Sequence, residues 1–245
     1  MLPLSDQGAE QSRSFPYVNI GIILLNFAMF GVELVVGDPV VNGWSLIPKE
    51  IVTGHDIVGI VNVGGQMIHL YPAPLGNVYL TLLTSMFMHG GWLHILGNML
   101  YLFIFGDNVE YNFGHVKYLI FYLLCGFAAD FSQIIIGGGD SLVPNLGASG
   151  AIAGVLAAYL VLFPHARVRG VVPLGIFGFL ADLPAVVVIG FWILVQIFDV
   201  FAVGEQGGVA YGAHIGGFFV GLLLTFIFRT PENVAPGQGL LGEDV

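Results

Sequence analysis

Long apolar runs broken by short polar or glycine-rich stretches set the pattern of this chain. A membrane span needs roughly 20 apolar residues to cross about 30 Å of hydrocarbon. On that basis the pattern predicts six helices: Tyr17–Val36, Gly91–Phe105, Val116–Ile136, Ser149–Phe163, Leu183–Phe198 and Val209–Phe228. Between the first and second lies the long mixed segment Gly37–Gly90, which contains the apolar run Val78–Met88. That run is too short to span and reads as an interfacial or partly embedded helix. Val171–Asp182, with Pro173 and several glycines, reads as an approach to the fifth helix. The expected fold class is an all-α membrane protein, a six-transmembrane-helix bundle with a long first loop.

Composition agrees with the pattern. Of the 245 residues 56% are hydrophobic and 9% charged, with mean hydropathy +0.88, whereas soluble domains carry about a quarter charged residues. Residues 1–15 form a polar N-terminal segment without the apolar core of a cleavable signal peptide. Residues 16–229 make one membrane domain, and 230–245 form a short, Gly-rich acidic tail expected to be disordered. The single cysteine, Cys125, leaves no disulfide framework, and a net charge of −10 argues against nucleic-acid binding. With six spans, Arg13, Lys117, Arg167, Arg169 and Arg229 fall on one side and only Lys49 on the other. The positive-inside rule then puts both termini in the cytoplasm, in a multi-pass protein of the plasma or inner membrane.

Candidate chemistry sits in the apolar segments themselves. Ser149 opens the fourth helix within Gly147-Ala148-Ser149-Gly150, and His214 lies in the sixth within Ala213-His214-Ile215-Gly216-Gly217. The fourth helix is short: at 1.5 Å per residue it covers only about 22 Å, which puts Ser149 roughly 7 Å below the outer surface. His214, five residues into its helix, lies about 7–8 Å deep. Small-residue stripes at Ser149, Ala153 and Ala157 and at His214, Gly217 and Gly221 would let the two helices approach closely. The imidazole could then serve the hydroxyl as general base, worth about 10²–10⁴ in rate. His94 and Asn98, spaced i, i+4 on the second helix, share one face and could supply donors to an oxyanion. His89 adds a polar group at the top of that helix. Asp140, Ser141 and Asn145 before the serine, and Glu205 and Gln206 before the sixth helix, make polar loops above both residues.

These residues resemble the rhomboid intramembrane serine protease family. The resemblance rests on His89-Gly-Gly-Trp-Leu-His94-Ile-Leu-Gly-Asn98, Phe105-Gly106-Asp-Asn-Val-Glu110, Gly147-Ala-Ser149-Gly150, and Ala213-His214-Ile-Gly-Gly217 with Gly221. It implies that Ser149 is the nucleophile and His214 the base. His94, Asn98 and the Ser149 backbone N–H would form the oxyanion hole. It also implies cleavage of transmembrane protein substrates near the outer face of the bilayer, without ATP, metal or other cofactor. Segment 37–90 would be a half-embedded first loop, and the fifth helix the neighbour of a lateral substrate gate. Two positions depart from the family pattern. Leu80-Thr81 stands where many members have Trp-Arg, which concerns the anchoring of the loop. Ala153 stands where some have an aromatic packed on the histidine, which concerns the restraint on the imidazole.

Other readings weigh less. A Gly-Ala-Ser-Gly tetrapeptide alone marks helix packing, and a lone intramembrane histidine marks a bundle contact or a transport site. Four such residues at compatible depths point instead to a protease-type site. Gly137-Gly138-Gly139-Asp140 matches the Gly-x-Gly-Asp of intramembrane aspartyl proteases but falls in a loop and lacks a Tyr-Asp partner. No His-Glu-x-x-His occurs. A catalytically silent rhomboid-like binder of membrane clients is the alternative function. A transporter would predict internal repeats, which the two halves do not show. His69, His115 and His165 fall in loops, and snorkelling accounts for Glu33 at the end of the first helix. Asp130, Asp182 and Asp199 receive no role.

Overall fold

The computed structural model describes residues 2–7, 14–174, 177–202 and 210–230. Arg13, Gly175, Ile176, Glu205, Gln206, Val209 and the acidic tail from Pro231 onward lie outside them. Within the described residues six long helices pack into a bundle: α1 (Tyr17–Val36), α5 (Trp92–Phe113), α6 (His115–Gly137), α7 (Ser149–Leu162), α8 (Ala185–Ala202) and α9 (Tyr211–Phe228). Four of them, α1, α6, α8 and α9, are long and apolar enough to cross a membrane. The protein is an integral membrane protein.

α1 occupies the predicted residues, but α5 runs eight residues past the predicted end at Phe105, to Phe113. The polar stretch after Phe105 continues the helix because its side chains meet protein partners. Glu110 accepts hydrogen bonds from the backbone N–H groups of Val18 (3.0 Å) and Asn19 (2.7 Å), two orphan donors in the first turn of α1. Asn19 in turn accepts from Tyr118 of α6 (2.8 Å) and donates to the Leu102 carbonyl (3.0 Å). Gly106 leaves room for this knot, since a Cβ there would stand 2.2 Å from the Asn19 side chain. His115, read from sequence as a loop residue without a role, begins α6 and pairs with Glu110. Gly114, at φ +81°, is the single residue joining α5 to α6.

The expected all-α class needs correcting, because two small antiparallel sheets flank the bundle. β1 (Leu2–Gln7), β4 (Arg167–Leu174) and β5 (Phe177–Pro184) form a three-stranded sheet beyond the C-terminal end of α7. The polar N-terminal segment and the supposed approach to the fifth helix therefore make one structure. Asp182 is the cross-strand partner of Arg169 at 2.8 Å, and this bond holds its carboxyl below the usual range. From β1, Asp6 reaches the bundle and accepts from Tyr159 (2.7 Å) and Asn108 (3.0 Å). Burial there pushes the Asp6 carboxyl above its ordinary pKa.

The second sheet is a hairpin, β2 (Gly59–Val63) with β3 (Gln66–Leu70), inside the long segment after α1. Its turn residues Gly64 and Gly65 both have positive φ, as a tight two-residue hairpin loop requires. The same segment holds the short helices α2 (Asp38–Trp44), α3 (Pro48–Thr53) and α4 (Thr81–Thr84). Leu46 exchanges two backbone hydrogen bonds with Asn145 (2.9 and 2.8 Å), and the Lys49 N–H donates to Ser141 (3.1 Å). These bonds tie the segment to the stretch that leads into Ser149. Leu80-Thr81 does not provide the anchor: Thr81 bonds its own turn, while Thr84 donates to the Trp44 carbonyl at 2.8 Å.

α7 and α9 touch backbone to backbone, through the predicted Gly217 and Gly221 on α9 but not along the predicted stripe on α7. The residues in contact on α7 are Gly150 and Gly154, one position on from Ser149 and Ala153. A Cβ on Gly217 would lie 1.9 Å from the Gly150 carbonyl oxygen, and one on Gly221 would lie 2.4 Å from the Gly154 Cα. On the other side of α7, Gly154 packs against buried Cys125 of α6. Gly217→Ala should therefore force the two helices apart and cost about 1–3 kcal/mol. Gly190→Ala, where nothing lies within 4 Å, should be neutral. Thermal unfolding in detergent checks both, and equal melting temperatures would contradict the close contact.

Candidate active site

Ser149 is the first residue of α7, so its backbone N–H and those of the next residues have no intrahelical acceptor. His214 lies in the first turn of α9, whose described start is Tyr211. The Ala213 N–H of that turn is taken by Gln133 of α6 at 3.1 Å. The glycine contact below brings the two helix starts together, and His214 Nε2 stands 2.8 Å from Ser149 Oγ. His214 is 8% exposed and Ser149 half-buried.

The imidazole has two further neighbours, both on α8 and both unremarked in the sequence. Gln196 Oε1 lies 2.5 Å from His214 Nδ1. The Trp192 ring lies 5.5 Å from the imidazole ring, inclined at 39°. A signal for Gln196 existed: it and Asp199 are the only polar side chains in α8, and polar groups in apolar spans face the bundle.

His94 and Asn98, one turn apart on α5, face the same cleft. The cleft has a volume of about 620 Å³, and Ser149 and His214 line its other wall. Gly147, at φ +122°, lets the chain pass close to them: a Cβ there would lie 2.7 Å from His94 Nε2 and 3.7 Å from Asn98 Nδ2. The Gly90 N–H donates to His94 Nδ1 at 3.4 Å, which leaves Nε2 as the protonated nitrogen of a neutral ring. Asn98 uses one amide hydrogen on His89 Nε2 (3.0 Å), and its second remains for another acceptor. The donors on this wall thus converge beside Gly147 and the serine.

Glu33 does not snorkel. It is 5% exposed, and its carboxylate accepts the backbone N–H of His89 at 3.0 Å, which places it behind the His89–Asn98 pair. Asp130, unassigned in the sequence, is half-buried on α6 and lines a cavity of about 20 Å³ next to Ser149 and Ala213. Asn145 and Ser141 support the loop before Ser149 through their backbones.

The Rhomboid domain family model matches residues 76–231, well over half of the chain. The chain belongs to the rhomboid family. Among its relatives, RHOMBOID-like protein 1 of Arabidopsis thaliana is 32% identical over 147 residues, 60% of this chain and 34% of that protein. Rhomboid protein 1, mitochondrial, of Saccharomyces cerevisiae is 28% identical over 153 residues, 59% of this chain and 40% of that protein. Rhomboid protease GluP of Bacillus subtilis is 29% identical over 160 residues, 65% of this chain and 28% of that protein. The chain spans about a third of the length of these rhomboid relatives. His94, Asn98, Ser149, Trp192, Gln196 and His214 all fall inside the region matched by the family model.

Removing Glu33 tests its place in this wall. Glu33→Ala leaves the buried His89 N–H without an acceptor and should lower the unfolding free energy by about 1–3 kcal/mol. A snorkelling glutamate would cost nothing measurable. Equilibrium unfolding in mixed micelles separates the two.

Proposed function

We propose that this protein is an intramembrane serine endopeptidase that cleaves transmembrane segments of other membrane proteins. The observation that carries the reading is the 2.8 Å contact between His214 Nε2 and Ser149 Oγ. With Nδ1 protonated, Nε2 holds the lone pair that accepts the Ser149 proton. Oγ then attacks the scissile carbonyl carbon. The carbonyl oxygen takes the negative charge, and the Ser149 N–H, Asn98 and His94 donate to it. The imidazolium returns its proton to the leaving amine as the C–N bond breaks, leaving an acyl-serine. Water, deprotonated by His214, hydrolyses that ester and restores Ser149. No carboxylate takes part, so turnover should be slower than that of a full triad.

In this reading α5 and α7 complete the six spans, and the segment after α1 is half-embedded. Lys117, Arg167, Arg169 and Arg229 lie at the bundle end away from Ser149, while Lys49 lies at the serine end. That distribution supports cytoplasmic termini and a site near the outer face.

The test is cleavage of a labelled transmembrane substrate in proteoliposomes. Ser149→Ala and His214→Ala should give no product, and a fluorophosphonate should label Ser149 in the wild type alone. Product from Ser149→Ala equal to wild type would sink the mechanism. A wild-type protein that binds the substrate without cutting it would favour the client-binding alternative. Asn98→Ala, which removes one oxyanion donor, should lower kcat by about 10²–10³ and change KM little. An unchanged kcat would remove Asn98 from the oxyanion site.

A further inference from the structure

We infer that α8 carries a clamp on His214, in which Gln196 is the positioning residue that fixes the tautomer of the base and Trp192 holds its ring. The inference rests on the reading of His214 as general base to Ser149, and it supplies an orienting group where no carboxylate takes part.

A neutral imidazole has one N–H, and the position of that proton decides whether Nε2 is a base or a donor. Gln196 Oε1 can only accept. At 2.5 Å from Nδ1 it binds the tautomer protonated on Nδ1, and so leaves the Nε2 lone pair for Ser149 Oγ at 2.8 Å. Both side chains are 8% exposed, so water competes little for this bond. When His214 takes the serine proton, the amide oxygen already points at the cation that forms.

Trp192 and Gln196 are spaced i, i+4 and so present one face of α8 to the same imidazole. The Trp192 ring, 5.5 Å away, lies within the range of aromatic pairs and limits rotation of the imidazole about its long axis. This answers the departure at Ala153, where some relatives place an aromatic: that position is fully buried in the bundle and offers no ring.

An amide in this place has a physical rationale. An aspartate at a helix centre in the membrane costs about 2.5–3.5 kcal/mol on insertion scales. The glutamine carries the acceptor and no charge. Its buried companions on α8, Ala185, Ile189 and Ile193, form one narrow stripe, so the bond lies at the end of that helix's only packed face.

The experiment compares wild type, Gln196→Ala, Gln196→Met and Gln196→Glu on a labelled transmembrane substrate in proteoliposomes, reading kcat, KM and the pH profile. Gln196→Met keeps much of the shape and removes the acceptor. It should unfold at the wild-type temperature yet lose about 10- to 100-fold in kcat with KM little changed, as Gln196→Ala should. Gln196→Glu restores an acceptor whichever way the group turns and should recover most of the lost kcat. Its carboxylate favours the imidazolium, so the acid limb of the profile should move to higher pH by about one unit. His94 faces the imidazole across the cleft and Asp130 lines the cavity beside Ala213. Neither differs among the variants, so a moved limb reports position 196. Wild-type kcat in Gln196→Met, or a Gln196→Glu variant as slow as Gln196→Ala with an unmoved limb, would overturn the clamp. Product from Ser149→Ala would overturn the dyad itself. An inactive Ser149→Ala beside a fully active Gln196→Met would overturn the clamp alone.

Discussion

The backbone contact between α7 and α9 is the constraint on which the candidate site depends. Where a methyl group on Gly217 would lie 1.9 Å from the Gly150 carbonyl, the helix axes are closer than any side chain would permit. Such proximity has a direct consequence at the helix ends. Ser149 and His214 are separated by 65 residues of chain, yet each lies in the first turn of its helix, immediately beyond the glycines. Fixing Gly150 against Gly217 and Gly154 against Gly221 fixes two starting points, and the 2.8 Å hydrogen bond follows from them. In a bilayer this geometry is stable because lipid offers no hydrophobic gain for helix association, so close packing has to supply it.

The same solvent explains why the buried polar groups come in connected sets. Water is absent from the hydrocarbon, and each unpaired group costs several kcal/mol. Glu110 takes the first-turn donors of α1, Gln133 takes one from α9, and Glu33 takes the His89 N–H. Each of these joins two segments distant in sequence. The groups around Ser149 are held in the same way: His89 engages Asn98, and Gly90 engages His94. Preorganisation of the candidate oxyanion donors is thus a by-product of satisfying polar groups in a dry bundle.

How much of this was legible in the sequence differs from residue to residue. Helix positions were, because apolar length is a strong signal; α1 begins and ends where hydropathy put it. The continuation of α5 was not, because Asp107, Asn108 and Glu110 read as a break unless their partners on α1 and β1 are known. Pairing of Leu2 with Val171 is equally non-local, and no pattern in either strand announces it. Gly64-Gly65 between two β-branched and apolar runs is a two-residue hairpin signal, and β2 and β3 pair across it. The α7 stripe was displaced by one residue for a geometric reason. Successive helical residues are rotated by about 100°, so the serine that faces the cleft cannot share its face with the glycines that meet α9. The residues Ser149, His214, His94 and Asn98 were legible by their oddity in apolar runs, and Gln196 had the same oddity without a motif to name it.

That last residue changes how the helices divide the work. α5, α6, α7 and α9 are locked together by glycine contacts and by polar knots at both ends. α8 is different: only Ala185, Ile189, Ile193 and Gln196 are buried along its 18 residues, and the rest of its surface is half-buried or exposed. An element held by one stripe is the least constrained in the bundle, and local opening is drawn from such elements. Yet both side chains that contact the outer edges of His214, Trp192 and Gln196, belong to it. The rigid helices therefore set where the imidazole is, while the most weakly held helix sets which way it points. Under the proposed function, a displacement of α8 that admitted a substrate helix beside the cleft would also act on His214 through Trp192 and Gln196, coupling access to proton transfer.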